Sequence, residues 1–121
     1  MELELIKIYH EPDVKIITGQ LPLLLDKDLE KDYKLTDRFK INKLSKPFKT
    51  VSDGSELVIL EYEIVYGGKK VLFTFIEDVV SAEMTICVDK KPVGSIKKMK
   101  ERTPKLIADI SRAVLRSIKG K

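Results

Sequence analysis

Cys87 and His10 are the residues whose types most readily suggest covalent or acid–base chemistry. The chain contains one cysteine and one histidine, so no internal disulfide can form, and a cysteine nucleophile would have to recruit this single histidine as its base. Cys87 lies in an apolar run that is typical of a buried strand, and His10 follows a predicted strand, where we expect a structural role. A zinc site needs three or four suitable ligands. We therefore predict no catalytic residue, no metal site and no cofactor.

A group of aromatic and aliphatic residues could instead line a binding pocket. Alternation along two predicted strands places Tyr62 and Tyr66 on the same sheet face as Phe73 and Phe75. Ordinary core packing accounts for this pattern, and a pocket with the tyrosine hydroxyls as its few polar groups is the alternative. The candidate lining of that pocket is Tyr62, Tyr66, Phe73, Phe75, Met84, Ile110 and Val114.

The C-terminal part of the chain is strongly basic. Residues 90–121 contain eleven Lys and Arg and two acids, a net charge of +9, whereas residues 1–89 carry −5. This asymmetry suits an acidic partner such as nucleic acid or an anionic surface. A solvated helix face explains the same charges, and no aromatic residue lies among them to stack on bases. The candidate interface comprises Lys97, Lys98, Lys100, Arg102, Lys105, Arg112 and Arg116.

Two elements that would position these residues are clearly marked. Gly67-Gly68 separates two alternating segments, 56–66 and 69–77, as in a hairpin with a type I′ turn. Thr103 is a suitable N-cap for a C-terminal helix that ends at Gly120. One face of that helix is an apolar stripe that must be buried against the sheet. The stripe consists of Ile107, Ile110, Val114 and Ile118.

The other segments are less regular. Alternation over residues 2–9 predicts a strand, and two short helical segments follow, at 12–19 with Gly19 as the cap and at 21–25. Because residues 14–18 are rich in β-branched side chains, a second strand fits that stretch as well. Further strands are expected near residues 39–43, 48–51, 83–88 and 93–96, separated by turns at Pro47, 52–55 and 89–92.

This order of elements resembles the START/Bet v1-like helix-grip superfamily. The residues that carry the resemblance are 3–9, 12–19, 21–25, 39–88 and 103–119, which together span the whole chain without a diagnostic motif. The resemblance implies binding or transport of a small hydrophobic molecule, and it transfers no functional residue to this sequence.

We therefore expect one α+β domain over residues 1–121, with a curled antiparallel sheet of about six to seven strands packed on a long C-terminal helix. The expected function is non-enzymatic binding of a small hydrophobic ligand between the sheet and that helix. The alternative is binding of nucleic acid or an anionic surface through residues 97–119. No signal peptide or membrane span is recognisable, which predicts a cytoplasmic location. Separately, we expect either a monomer or a homodimer. Single Asn and Gln residues beside abundant Lys and Glu predict a thermophilic source.

Overall fold

The computed structural model describes residues 6–30, 38–97 and 103–121. These residues form an α+β fold in which an open antiparallel sheet of six strands packs against two helices. In chain order the elements are α1 (Glu11–Glu30), β1 (Lys40–Lys43), β2 (Phe48–Ser52), β3 (Ser55–Tyr66), β4 (Lys69–Asp78), β5 (Met84–Val88), β6 (Lys91–Ile96) and α2 (Thr103–Lys119).

The sheet is built around the hairpin of β3 and β4. Gly67 and Gly68 form its turn with φ of 54° and 77°, the left-handed values that favour glycine and fit a type I′ turn. β5 continues the sheet beside β4, and β6 forms the edge beyond it. β1 and β2 both pair with the other side of β3, and Pro47, which has no N–H for the ladder, lies between them.

The core lies on one face of this sheet, which we call the inner face. Alternation along β3 directs Val58, Leu60 and Ile64 into the core, and β4 adds Val71, Phe73 and Phe75. α2 covers this face through the predicted apolar stripe, whose four members are at most 6% exposed. The expected hairpin and C-terminal helix are confirmed.

The segment before the sheet differs from the prediction. Residues 11–30 form one continuous helix, α1, instead of two short segments, and Gly19 does not end it. The reason is an apolar stripe that continues through Pro22 and is at most 2% exposed at each position; burial against the core outweighs local propensity. Its members are Val14, Ile17, Leu21 and Leu25.

The prediction of a strand over residues 2–9 is also wrong for the part of that segment that the structure describes. Residues 6–8 have no regular secondary structure, while residues 2–5 lie outside the described residues. Ile8 nevertheless joins the core, being 4% exposed. Among the residues that the structure describes, the sheet has six strands, within the expected six to seven, and α1 is a second long helix that contacts α2.

Neither described helix combines the length and the apolar character that crossing a lipid bilayer requires.

Candidate functional site

The seven residues predicted to line a pocket gather on or against the inner face. Five of them, namely Phe73, Phe75, Met84, Ile110 and Val114, are 0% exposed. The rings of Phe73 and Phe75 lie 4.8 Å apart in an edge-to-face arrangement, a favourable geometry for packed aromatic residues. The structure thus brings these five side chains together in the core between the sheet and α2.

The two predicted tyrosines lie at the margin of this core. Tyr62 is half-buried and packs edge-on against Phe75, while Tyr66 stacks on Phe39 with ring centres 4.6 Å apart. Burial raises the pKa of the Tyr62 hydroxyl, and the negative charge of Glu11 adds to the rise. The neutral phenol is therefore the form present at physiological pH.

A cleft of about 620 Å³ lies at the end of the inner face where α1 begins, and we call it the N-terminal cleft. Strand register explains its floor, because Lys49, Val58 and Glu77 are direct neighbours across β2, β3 and β4. The segment before α1 and the segment after β4 form the walls. The lining residues are Ile6, Lys7, Ile8, Tyr9, Glu11, Pro12, Lys49, Val58, Glu77, Val79 and Ala82.

Glu77 is a buried carboxylate on the floor of the N-terminal cleft. It is 4% exposed, and its two oxygens accept hydrogen bonds from the backbone N–H groups of Tyr9, at 2.6 Å, and His10, at 2.9 Å. These N–H groups immediately precede α1, so the carboxylate also faces the positive end of the helix dipole. This arrangement joins β4 to the beginning of α1.

His10 and Asp13 form a second buried polar group beside Glu77. His10 is 1% exposed and Asp13 0%. The Nδ1 atom of His10 lies 2.9 Å from the Asp13 carboxylate, and Nε2 lies 2.6 Å from the carbonyl oxygen of Ala82. The sequence analysis expected a structural histidine but missed this cluster, for which the signal was the spacing of His10 and Asp13 at a helix start, similar to a capping box.

A second cleft, of about 600 Å³, separates α2 from the hairpin of β5 and β6, and we call it the basic cleft. Arg112 and Arg116 stand one helical turn apart on one wall, and Lys91 belongs to the other. Asp109 also lines the cleft, and its carboxylate lies 3.5 Å from the Arg112 guanidinium. The full lining is Val88, Asp89, Lys91, Pro92, Val93, Asp109, Arg112, Ala113, Arg116 and Ser117.

Asp89 fixes the two walls of the basic cleft relative to each other. Burial alone would raise the pKa of its carboxyl group, but hydrogen bonds from the Ser117 hydroxyl and the Leu72 N–H, together with Lys121, hold that pKa below its usual value. Asp89 is therefore ionised and already bonded at neutral pH. It contributes to the position of the walls that carry Lys91, Arg112 and Arg116.

The predicted basic interface is only partly gathered in one place. Arg112 and Arg116 line the basic cleft, and Lys105 is exposed on the same helix. Lys97 lies at the end of β6, where its Nζ is 3.7 Å from the carboxylate of Glu83. Lys98, Lys100 and Arg102 lie outside the described residues. Sequence reasoning missed Lys91, because only the fold of the hairpin brings it opposite α2.

Within the described ranges, no three His, Cys, Asp or Glu side chains come together in an arrangement that could hold a metal ion. Comparison of the chain with known protein families, with curated proteins and with solved structures found no match. Function is therefore inferred from the two clefts.

Proposed function

We propose that this protein is a non-enzymatic binding protein for a small ligand with an apolar body, and that the N-terminal cleft holds this ligand. The observation that supports the proposal is the position of the cleft: it continues the inner face of the sheet beyond the start of α1. Its volume of about 620 Å³ falls within the range of small-molecule sites, which are mostly apolar with a few convergent polar groups.

The apolar surface of the cleft supports the same proposal. Ile8 and Val58 are nearly buried beneath it, whereas Tyr9 is 73% and Val79 45% exposed. An apolar ligand seated between them would remove this surface from water, at a gain of roughly 25 cal/mol per Å². Lys7 and Lys49 supply charged groups to the lining, and Lys49 Nζ also lies 3.6 Å from the carboxylate of Glu56.

This proposal keeps the predicted class of ligand and changes its place. The expected pocket lay between the sheet and α2, where the five fully buried candidate residues form the packed core. The N-terminal cleft borders the same sheet face, because its floor pair Val58 and Glu77 lies two residue positions along the strands from Leu60 and Phe75. The buried candidate residues of the core therefore lie next to the floor of the cleft on the same sheet face.

The experiment combines native mass spectrometry of the purified protein with titration of 1-anilinonaphthalene-8-sulfonate, a fluorescent apolar probe. Val79→Asp places a charge in the cleft and should weaken probe binding about tenfold or more. Val80→Asp is the matched control, because Val80 is 91% exposed and does not line the cleft. Equal affinity in both variants, or no probe binding by the wild-type protein, would refute the proposal.

A second candidate function is binding of a phosphate-bearing polymer such as nucleic acid in the basic cleft. The observation that favours it is the convergence of Lys91 with Arg112 and Arg116 on one recess, since guanidinium groups bind phosphate in a bidentate manner. A recessed site fits a phosphodiester chain better than it fits a flat membrane.

Fluorescence anisotropy with labelled single-stranded and duplex oligonucleotides tests this candidate. Binding should weaken steeply between about 50 and 200 mM salt, because it releases counterions. Arg116→Gln should weaken it more than Lys119→Gln, which removes the same charge from an exposed position outside the cleft. Vesicles of anionic lipid form the comparison arm. Equal effects of the two substitutions, or preferential binding to vesicles, would contradict the assignment.

A further inference from the structure

We infer that the basic cleft receives one nucleotide unit, with the base seated on the apolar floor of the cleft and the phosphate held by the cations at its rim. The inference rests on the second candidate function and deepens it, because it names the unit of a nucleic acid that enters this cleft. A single strand and a free nucleotide both present such a unit.

The two walls of the basic cleft meet at both of its ends. At one end Leu106 packs on Gly94, where an added Cβ would lie 2.5 Å from Leu106 Cδ1. At the other end the Ser117 hydroxyl donates a hydrogen bond to the Asp89 carboxylate. α2 rises about 17 Å between these two contacts. A polymer therefore cannot run lengthwise through the cleft, whose volume of about 600 Å³ is that of a site for one small molecule.

The floor of the basic cleft is apolar. It is formed by Val88, which is 4% exposed, and by Val93 and Ala113, which pack against the core. Val93 and Ala113 belong to opposite walls, so a base that enters between them is contacted on both faces. Removing the faces of a base from water stabilises the bound state. These aliphatic side chains thus replace the aromatic platform that single-strand binding proteins commonly use.

The cations of the basic cleft lie at its rim. Lys91, Arg112 and Arg116 are exposed although all three line the cleft. Arg112 and Arg116 are separated by one helical turn, about 6 Å, and Lys91 comes from the opposite wall. A nucleotide within a strand has a phosphate on each side of its sugar. Guanidinium groups spaced along the rim can therefore bind both phosphates while the base points inward.

Two carboxylates keep phosphate away from the floor. Asp89 is already bonded to Ser117 and to the N–H of Leu72. Asp109 lies 3.5 Å from the Arg112 guanidinium. Both carboxylates line the cleft, so a phosphate that entered deeply would meet like charges where less water screens them. A neutral base meets no such repulsion, and its amino groups can donate hydrogen bonds to Asp109.

This arrangement favours a single strand over a duplex. Every base of a duplex is paired and stacked, so a base has to be flipped out before it can enter the cleft. A single strand should therefore bind about tenfold or more tightly than a duplex of the same sequence.

Fluorescence anisotropy with two labelled strands of equal length and charge tests the position of the base. One strand is an ordinary oligodeoxynucleotide, and the other has abasic sugars between its phosphates. The abasic strand should bind about tenfold or more weakly, because it has no apolar face to bury. Equal affinity of the two strands would overturn the inference and leave the second candidate function intact.

Ala113→Leu separates the floor from the rim. The larger side chain fills the floor without changing any charge, so it should weaken binding of the base-bearing strand about tenfold and of the abasic strand less than about twofold. Arg116→Gln should weaken both strands equally, because it acts on phosphate. Ala108→Leu, on the same helix outside the cleft, is the matched control. An equal effect of Ala113→Leu on the two strands, or no effect on either, would contradict a base on the floor.

Isothermal titration with adenosine monophosphate and with inorganic phosphate identifies the source of the unit. If the nucleotide binds, phosphate alone does not, and no strand binds, the polymer function fails and the inference stands, provided that Ala113→Leu weakens the nucleotide. If strands bind but the base makes no difference, the inference fails and the polymer function stands. Absence of binding by strands and nucleotide alike would refute both.

Discussion

The carboxylate of Asp89 accepts a hydrogen bond from the hydroxyl of Ser117 and thereby ties the turn between β5 and β6 to the last turns of α2. The other oxygen of the same carboxylate accepts the N–H of Leu72 at 2.9 Å, and Lys121 Nζ lies 3.3 Å from the carboxylate. One side chain thus connects β4, the second hairpin and α2. It also occupies a left-handed position, with φ of 48°.

The low pKa of Asp89 predicts acid-sensitive stability. A carboxyl group whose pKa is lower in the folded state contributes stability that is fully present above its unfolded pKa, near 3.8, and lost as pH falls through its folded value. Asp89→Asn should lower the free energy of unfolding by about 1–2 kcal/mol at neutral pH. The difference from wild type should shrink as pH falls below the unfolded value and disappear once pH is below the folded value.

Urea denaturation across this pH range measures the effect. Asp53→Asn is the matched control, because Asp53 is an exposed turn residue with a similar φ of 51°. Asp53→Asn should change the free energy of unfolding little at any pH. If Asp89→Asn remained less stable than wild type by the same amount at low pH, the charge of the Asp89 carboxylate would contribute nothing to stability.

Gly94 sets how closely β6 approaches α2. A Cβ at this position would lie 2.5 Å from Cδ1 of Leu106, and Leu106 is itself only 7% exposed. Gly94→Ala should therefore destabilise the protein by about 1–3 kcal/mol through overpacking. Thermal or urea unfolding gives the value.

A double-mutant cycle identifies the cause. Leu106→Ala removes the colliding methyl groups, so Gly94→Ala should cost much less in that background, with a coupling of about 1 kcal/mol or more. Gly120→Ala provides a comparison at a glycine where the added Cβ would come no closer than 3.4 Å to its neighbours. Additive effects of the first two substitutions would mean that backbone conformation, rather than Leu106, disfavours alanine.

Local signals predicted the elements that need no distant partner. The two glycines at 67 and 68 and the alternation beside them specified the β3–β4 hairpin, and the stripe from Ile107 to Ile118 specified α2. α1 was missed because Gly19, Pro22 and the β-branched residues near its start argue against a long helix. The long helix is stabilised instead by tertiary packing, because Leu21 and Leu25 are buried in the core.

The candidate sites were less predictable because they depend on tertiary contacts. In the sequence, Glu77 is simply a polar residue near the end of a strand. Its role as acceptor for the N–H groups of Tyr9 and His10 depends on a contact between residues that are far apart in the chain. Lys91 likewise reaches the cleft that Arg116 lines only through the β5–β6 hairpin. Periodicity assigned the candidate pocket residues to the correct sheet face, but it contains no information about where along that face an opening lies.

Cys87 should behave as an unreactive thiol. Burial raises the pKa of the thiol, and the side chain is 6% exposed on the outer face of β5, so little thiolate is available to react. Modification by a disulfide reagent should be about tenfold or more slower than that of an exposed cysteine. The reference is Ser95→Cys in a Cys87→Ala background, since Ser95 is exposed on neighbouring β6. Comparable rates would indicate that β6 readily opens.

Phe73 tests whether the space between the sheet and α2 is filled by the protein itself. The side chain is 0% exposed and contacts Phe75, so Phe73→Ala should lower the free energy of unfolding by about 3–5 kcal/mol, whereas Phe73→Leu should cost less because most of the volume remains. Urea denaturation measures both, and benzene binding to Phe73→Ala reports the new cavity. A loss below about 1 kcal/mol in Phe73→Ala would instead mean that the ring borders existing empty space, which would return the apolar ligand to the site between sheet and helix.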